Sequence, residues 1–545
     1  MASRHIFIDF PPVCGPLDGP VKETTPLINF LQRVQAFCAA DPGPEGVRPQ
    51  AVRRIRRPPR SPGNGTIPAA ALNRFLGVYF SAPEADLVYA EPADFVPEPK
   101  GFLPKVKNPA VRAWALEVHA LWKNLSRRCR RREGSPGAPH LAATARTYHH
   151  PGSRFREVYY WDSYWIIRGL LASKMHETAK AIVNNLIYLV ETYGHVLNGA
   201  RAYYTNRSQP PLLSSMILEI FEKTGDLQFV KRSFPSLLKE HDFWSSGCSG
   251  CSHKVNRYYA MWNKPRPRDE ESGSKLVDGR EKEAFYREVA STAESGWDFS
   301  SRWMSNSSDL TTLATTSIIP VDLNVYILKM ELDIAFFAKL LGDVQTKNKF
   351  LAAAHSRRET LKSVFWNDEM GQWLDYRLKD DKCEDGQEWD ARNQNRNIFA
   401  SNFVPLWIMC NSDHSMVEKA TKSFKTSGLL QPFGIATSLT NSGQQWDFPN
   451  GWAPLQHLIV EGLARSGLKE AQDLAEDIAT RWIRTNIVSY RESGVMHEKY
   501  DVRACGEFGG GGEYTPQTGF GWSNGVVLAF LEEFGWPQDR EFTCK

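Results

Sequence analysis

Beyond about residue 151 the chain settles into long segments of apolar and polar residues in helical register, separated by Gly, Pro and Asn. Residues 322–342 (DLNVYILKMELDIAFFAKLLG) open on Asp322, a residue suited to an N-cap, and close on Gly342. Apolar groups lie on most sides of that segment, which predicts a helix buried among neighbours. Residues 468–487 (LKEAQDLAEDIATRWIRTNI) instead carry one apolar stripe and one charged face, which predicts a helix that faces water. Further helices are predicted over 160–193, 211–224, 345–365, 415–425 and 452–465, whereas β-branched alternation is sparse. Buried and water-facing helices in one chain imply an all-α architecture with inner and outer layers.

The first part of the chain reads differently. Residues 1–66 are rich in Pro and Gly, with six arginines between Arg48 and Arg60 and no helical or strand period, which predicts a poorly ordered N-terminal segment before a domain at 67–545. An irregular Arg-rich insert follows near 126–150 (SRRCRRREGSPGAPHLAATARTYHH), and stretches 43–62 and 127–150 are compositionally foreign to their surroundings. A basic run of this kind reads as a solvated loop, because 66 Lys and Arg against 62 Asp and Glu leave a net charge of only +4 and no general attraction to nucleic acid.

At 545 residues, 42% apolar and 23% charged, the chain can build a large core. No stretch reaches the roughly 18 apolar residues that span a bilayer, and the N-terminus lacks a charged start followed by an apolar run, which predicts a soluble chain without a readable export signal. Nine scattered cysteines, an odd number, make reduced thiols the expectation. Cys248 and Cys251 have the spacing of half a zinc site, but only His253 is close by, so no metal is expected.

The chemistry sits at the helix ends. The 17 tryptophans gather with Arg, Asp, Asn and Gln in five short strings: 154–165, 198–209, 294–303, 445–452 and 497–501. One such string is explained by a Trp that seals the core and an Asp that caps a helix. Five together suit a polar, aromatic-lined pocket, because charged groups beside aromatic rings are costly to bury unpaired. Sugars fit that lining, with C–H faces for rings and hydroxyls for Arg, Asn and carboxylates. Four glycines at 509–512 ahead of Glu513 lack the Gly-Lys-Ser/Thr of a phosphate loop and predict a loop that brings an acid over the pocket.

Hydrolysis of a glycosidic bond needs a protonated and an ionised carboxyl group. Asp298, between Trp297 and Phe299, is the candidate general acid through partial desolvation, with Arg302 opposing; Glu498, between His497 and Lys499, is the candidate general base. Asp162, Asp447, Asp501 and Glu513 compete with them.

The strings PGSRFREVYYWDSYW (151–165) and QWDFPNGWAP (445–454) resemble the two signature segments of the inverting α,α-trehalases, and ESGWDFSSRW (294–303), HEKYD (497–501) and GGGGEY (509–514) extend the likeness over about 400 residues. RYYAMWNKPRP (257–267) and RWMSNSSDLTTL (302–313) are similar to plant members in particular. The resemblance implies an (α/α)6 toroid barrel with inner and outer helix layers that cleaves trehalose to two glucoses with inversion and without a cofactor. It implies Asp298 as acid and Glu498 as base. It further implies Arg154, Phe155, Trp161, Asp162, Asn198, Arg207, Gln209, Arg266, Trp452 and Glu513 as substrate-binding residues. The chain departs from the family's Arg-Pro-Glu-Ser at Arg266–Ser272, so Glu270 and Glu271 stay unassigned. Plant relatives imply an extracellular or plasma-membrane location, and the absence of a visible signal a cytoplasmic one. A silent sugar sensor, another (α/α)6 α-glucosidase and a helical scaffold are the alternatives; retention of both Asp298 and Glu498 weighs against the sensor.

Overall fold

The computed structural model describes residues 87–129, 148–149, 152, 155, 157–200, 204–246, 255–263, 280–378, 389–409, 414–512, 516–538 and 541–544. Among them are thirteen α-helices: α1 Pro109–Leu125, α2 Asp162–Ala172, α3 His176–Tyr193, α4 Leu213–Thr224, α5 Leu227–Ser246, α6 Arg280–Glu294, α7 Val321–Leu340, α8 Val344–Thr360, α9 Leu406–Met409, α10 His414–Thr426, α11 Ala453–Ala464, α12 Lys469–Ser493 and α13 Gly521–Glu533. The strands are two to four residues long and form small antiparallel ribbons. None of the described helices is long and apolar enough to cross a membrane.

Six helices form an inner ring. α2 packs on α4, α4 on α7, α7 on α9, α9 on α11, α11 on α13, and α13 returns to α2, closing the circle. Around them, α1, α3, α5, α8, α10 and α12 pack against inner helices from outside. This is the (α/α)6 barrel that the resemblance implied. The two kinds of helix differ as their sequences dictate. Every residue of α2 but Arg168 is buried, and so are nearly all of α11 and α13, whereas α12 buries one stripe and exposes its Lys, Glu and Asp. Each fully buried Leu or Ile contributes about 1.5–3 kcal/mol. The ring closes through glycine. A Cβ on Gly169 of α2 would come within 2.5 Å of the Gly525 Cα of α13, so any side chain would force the first and last staves apart.

Several boundaries differ from those predicted. The segment at 160–193 is two helices, broken at Ser173–Met175 where Lys174 takes φ 62°. The outer helix predicted to stop at 487 runs on to Ser493, until Gly494 adopts a left-handed conformation. Asp322 is not an N-cap: α7 begins after Pro320, and the Asp322 carboxylate is taken by Arg302 from outside the helix. Helices α1, α5, α6, α9 and α13 had no sequence prediction. The Arg-rich insert pairs at both its ends, with Ser126–Cys129 as the middle strand between Leu87–Tyr89 and Tyr148–His149. Residues 1–66 and 130–147 lie outside the described residues, as do Cys248, Cys251 and His253. The expectation of reduced thiols is corrected at one pair: Cys505 and Cys544, 5.8 Å apart at Cα, form a disulfide.

Candidate active site

The N-terminal ends of the inner helices converge on one region, and the segments entering them carry the polar-aromatic strings. Asp162 is the first residue of α2, Gln209 lies just ahead of α4, the 294–303 string leads towards α7, Trp452 precedes α11, and Trp522 stands in the first turn of α13. A stack of indoles forms the floor. Trp446 lies flat on Trp452, 3.9 Å between centroids and 1° between planes, with Trp297 stacked at 5.3 Å on Trp446, and Trp161 and Trp522 close against the group. All five are nearly fully buried.

Asp298, Glu498 and Asp162 meet at this floor. They come from distant parts of the chain, yet Asp162 feels the charge of both other carboxylates. Burial pushes the Asp162 carboxyl up to about 8, its own backbone amide pulls it down, and Glu498 and Asp298 add to the rise. Lys499, buried as well, has its ammonium pulled down to about 8 by desolvation, while Glu498 and Asp298 push it back up. Four ionisable groups thus share one field, and three of them are acids.

Hydrogen bonds fix this arrangement. The Glu498 Oε2 accepts the Gln517 amide at 3.2 Å, and its backbone carbonyl accepts the Trp522 indole N–H at 2.9 Å. Gln445 donates through Nε2 to the Asp298 carbonyl and accepts the Lys499 Nζ at Oε1, 3.1 Å away. Gln209 Oε1 takes the Trp161 amide at 3.1 Å, tying two predicted binding residues together. Asn198 reaches the carbonyls of Ser208 and Ala293, and the Arg207 guanidinium lies 4.9 Å over the Tyr204 ring. Phe155 packs edge-on against Tyr159 and Phe520. Arg154, Arg266 and Glu513 lie outside the described residues.

Two competing carboxylates are structural. Asp447 is fully buried and accepts Ser300 Oγ, the Ser301 amide and hydroxyl, Ser438 Oγ and Ser442 Oγ, which joins the 445–452 string to the 294–303 string. Asp501 is held by the Arg503 guanidinium through Nε and Nη2. Arg302, expected to oppose neutralisation of Asp298, is itself neutralised. Its guanidinium makes four bonds of 2.7–2.9 Å to Asp322 and Asp375 and lies 4.6 and 4.5 Å from the Trp297 and Trp303 ring centres. Asp375 also receives the Val321 amide, so this buried ion triad fixes the start of α7 behind the Asp298 loop. Desolvation disfavours a positive charge on His497 beside Glu498, and its ring stacks on Phe508.

Sequence reasoning missed Gln445, Lys499, Trp446 and Glu294 as site residues. Glu294, raised to about 7 chiefly by burial, accepts the Ser208 and Tyr259 amides and so orders the segment that carries Arg207 and Gln209. All four stood inside the quoted strings, and their mixture of charge with aromatic neighbours was the available signal. The glycine run is explained by close approach. The Gly509 amide bonds the Lys499 carbonyl, that of Gly510 bonds Asn450 Oδ1, and that of Gly512 bonds the Gly443 carbonyl. A Cβ at Gly509 would lie 2.4 Å from Asn450 Oδ1.

A helical barrel that gathers three coupled carboxyl groups beside buried indoles at one end of its inner ring has the groups that glycoside hydrolysis needs. The family model for trehalase matches residues 36–535. A probable trehalase of Oryza sativa subsp. japonica is 56% identical, covering 96% of this chain and 98% of its own, and a trehalase of Arabidopsis thaliana is 52% identical, covering 95% and 88%. The solved neutral trehalase of Saccharomyces cerevisiae superposes with a TM-score of 0.59 at 26% identity over 71% of this chain and 73% of that one. The chain belongs to the trehalase family.

Proposed function

We propose that this protein hydrolyses α,α-trehalose to two glucoses with inversion at one anomeric carbon, Asp298 protonating the departing glycosidic oxygen and Glu498 removing a proton from the attacking water. The observation that carries the reading is the meeting of Asp298 and Glu498 in one electrostatic field over buried indoles, with the Asp162 carboxyl pushed up and the Lys499 ammonium pulled down chiefly by burial. An acid and base pair with water completes the reaction. The buried indole stack of Trp161, Trp446 and Trp452 backs the site with apolar surface, and Asn198, Arg207 and Gln209 supply polar groups for hydroxyls.

The test is glucose release from trehalose, with maltose and sucrose as controls, by wild type, Asp298→Asn and Glu498→Gln, with the anomers followed by NMR. Trehalose-specific release of one α- and one β-glucose, lost in both variants, supports the reading; retained turnover in either variant sinks the assignment of that residue. The Cys505–Cys544 disulfide supports an extracellular or membrane-facing location over a reducing one. Alkylation of the purified native protein before and after reduction, read by mass spectrometry, tests that; free thiols at both positions would count against it.

A further inference from the structure

Buried lysines are expensive, and Lys499 is fully buried. Its ammonium lies 5.0 Å over the Trp452 ring and donates to Gln445 Oε1 at 3.1 Å. The Gln445 amide nitrogen donates onward to the main-chain carbonyl of Asp298. The same glutamine's backbone carbonyl accepts the Trp452 indole at 3.0 Å and Asn450 Nδ2 at 3.0 Å, so Gln445 is held at both ends. Lys499 follows Glu498 in the chain, and its own carbonyl receives the Gly509 amide. A continuous path of bonds therefore runs from the segment that bears Glu498, through an ammonium and a carboxamide, to the main chain that bears Asp298.

We propose that Lys499 and Gln445 together are positioning residues that set the carboxyl of Asp298 in register with that of Glu498. This rests on the acid and base roles given above. The physical case is that a neutral side chain could fill the volume but could not serve as a cationic donor to Gln445 while balancing three acids. The ionisable groups that act on Lys499 are Glu498 and Asp298, and Asp162 is coupled to both. Removing the ammonium deprives Glu498 of a favourable charge and so disfavours its ionised, active form. The positional effect falls on kcat, because register matters most as the bond breaks.

The experiment is a double-mutant cycle of Lys499→Met and Gln445→Met in the full-length protein, with Lys499→Arg alongside. Trehalose kinetics are measured across pH and normalised to folded enzyme by thermal melting. Each single variant is expected to lose about 10²-fold in kcat with little change in KM. The double variant is expected to be no worse than the worse single, because both break one path. The acid limb of kcat/KM should move upward in Lys499→Met and stay in place in Lys499→Arg. Wild-type kcat in Lys499→Met, or losses that simply multiply in the double variant, overturns the proposal. If Lys499→Met does not fold, an unchanged kcat in Gln445→Met overturns it alone. Asp298→Asn and Glu498→Gln run in the same assay separate the two readings. Activity in either removes the acid–base assignment and this one with it, whereas two inactive variants beside a fully active Lys499→Met remove only this one.

Discussion

The two ends of the barrel are built from the same residue types and treat them in opposite ways. At the C-terminal end of the inner ring, Glu461 of α11 is fully buried. It is met by Arg168 at 3.2 Å, Arg465 at 2.5 Å and the Trp407 indole N–H at 2.7 Å, while Arg168 also pairs with Glu219. Burial alone would push Glu461 up, but Arg168, with His457 and Arg465, outweighs it and holds the carboxyl well below the usual carboxylate range. At the other end Asp162 is as deeply buried, faces two more carboxylates, and is pushed up to about 8. Beside the first network lies a cavity of about 350 Å³ lined in part by Glu222, Lys329, Asp333 and Arg358, in which Lys329 and Asp333 already pair. Burial by itself therefore does not mark a reactive site. What separates Asp162 from Glu461 is whether the acid has a cation committed to it.

That contrast can be broken at either end. The largest effect is expected from Asp298→Asn, which should lower kcat on trehalose by about 10³-fold while the melting temperature stays within a few degrees; steady-state kinetics and calorimetry check both. Glu461→Gln should do the reverse. It leaves Arg168 and Arg465 short of a counter-charge and should cost about 3 kcal/mol of stability, seen in urea unfolding, while folded enzyme keeps its kcat. Cys505→Ser should cost about 2 kcal/mol, by releasing the C-terminal tail from the loop beyond Asp501.

The effect that is smallest per pH unit sharpens the comparison through pH. Glu240 of α5 is buried, bonded by the Tyr160 hydroxyl, and pushed up to about 8 chiefly by burial. It binds a proton in the folded state that it releases on unfolding. Its stabilising contribution is thus complete below the ordinary carboxyl pKa and lost as pH rises through about 8. Glu240→Gln should remove that slope, so its stability relative to wild type should climb between pH 5 and 8 by up to about 1.4 kcal/mol per unit. A flat difference across that range would mean Glu240 is ionised in the fold.

The layering was legible because α7 and α12 carry their surroundings in their periodicity, apolar all round in one and striped in the other. α13 was not, since Gly521-Trp-Ser-Asn-Gly525 reads as a loop until Gly525 is seen pressed against the Trp165 carbonyl of α2. α5 was hidden by the internal Pro235 and a polar sequence. In the site, Asp298 and Glu498 could be chosen from their neighbours, but the elimination of Asp447 and Asp501 depended on four serines and an arginine folded around them. Arg302 misled for the same reason. Its partners stand 20 and 73 positions away, beyond any local pattern.

The closure of the ring between α2 and α13 also sets a timetable. α2 is among the first barrel helices to leave the ribosome, and the surface that covers it is made last. At roughly 5–20 residues per second, the apolar face of α2 waits tens of seconds for its mate. By the end of that wait every inner helix has been made except the one that turns a curved sheet of helices into a barrel. A premature stop just after Glu498 would therefore spare the proposed acid and base and still leave α2 uncovered, so such a truncation should be found among aggregates and degradation products rather than as a weak enzyme.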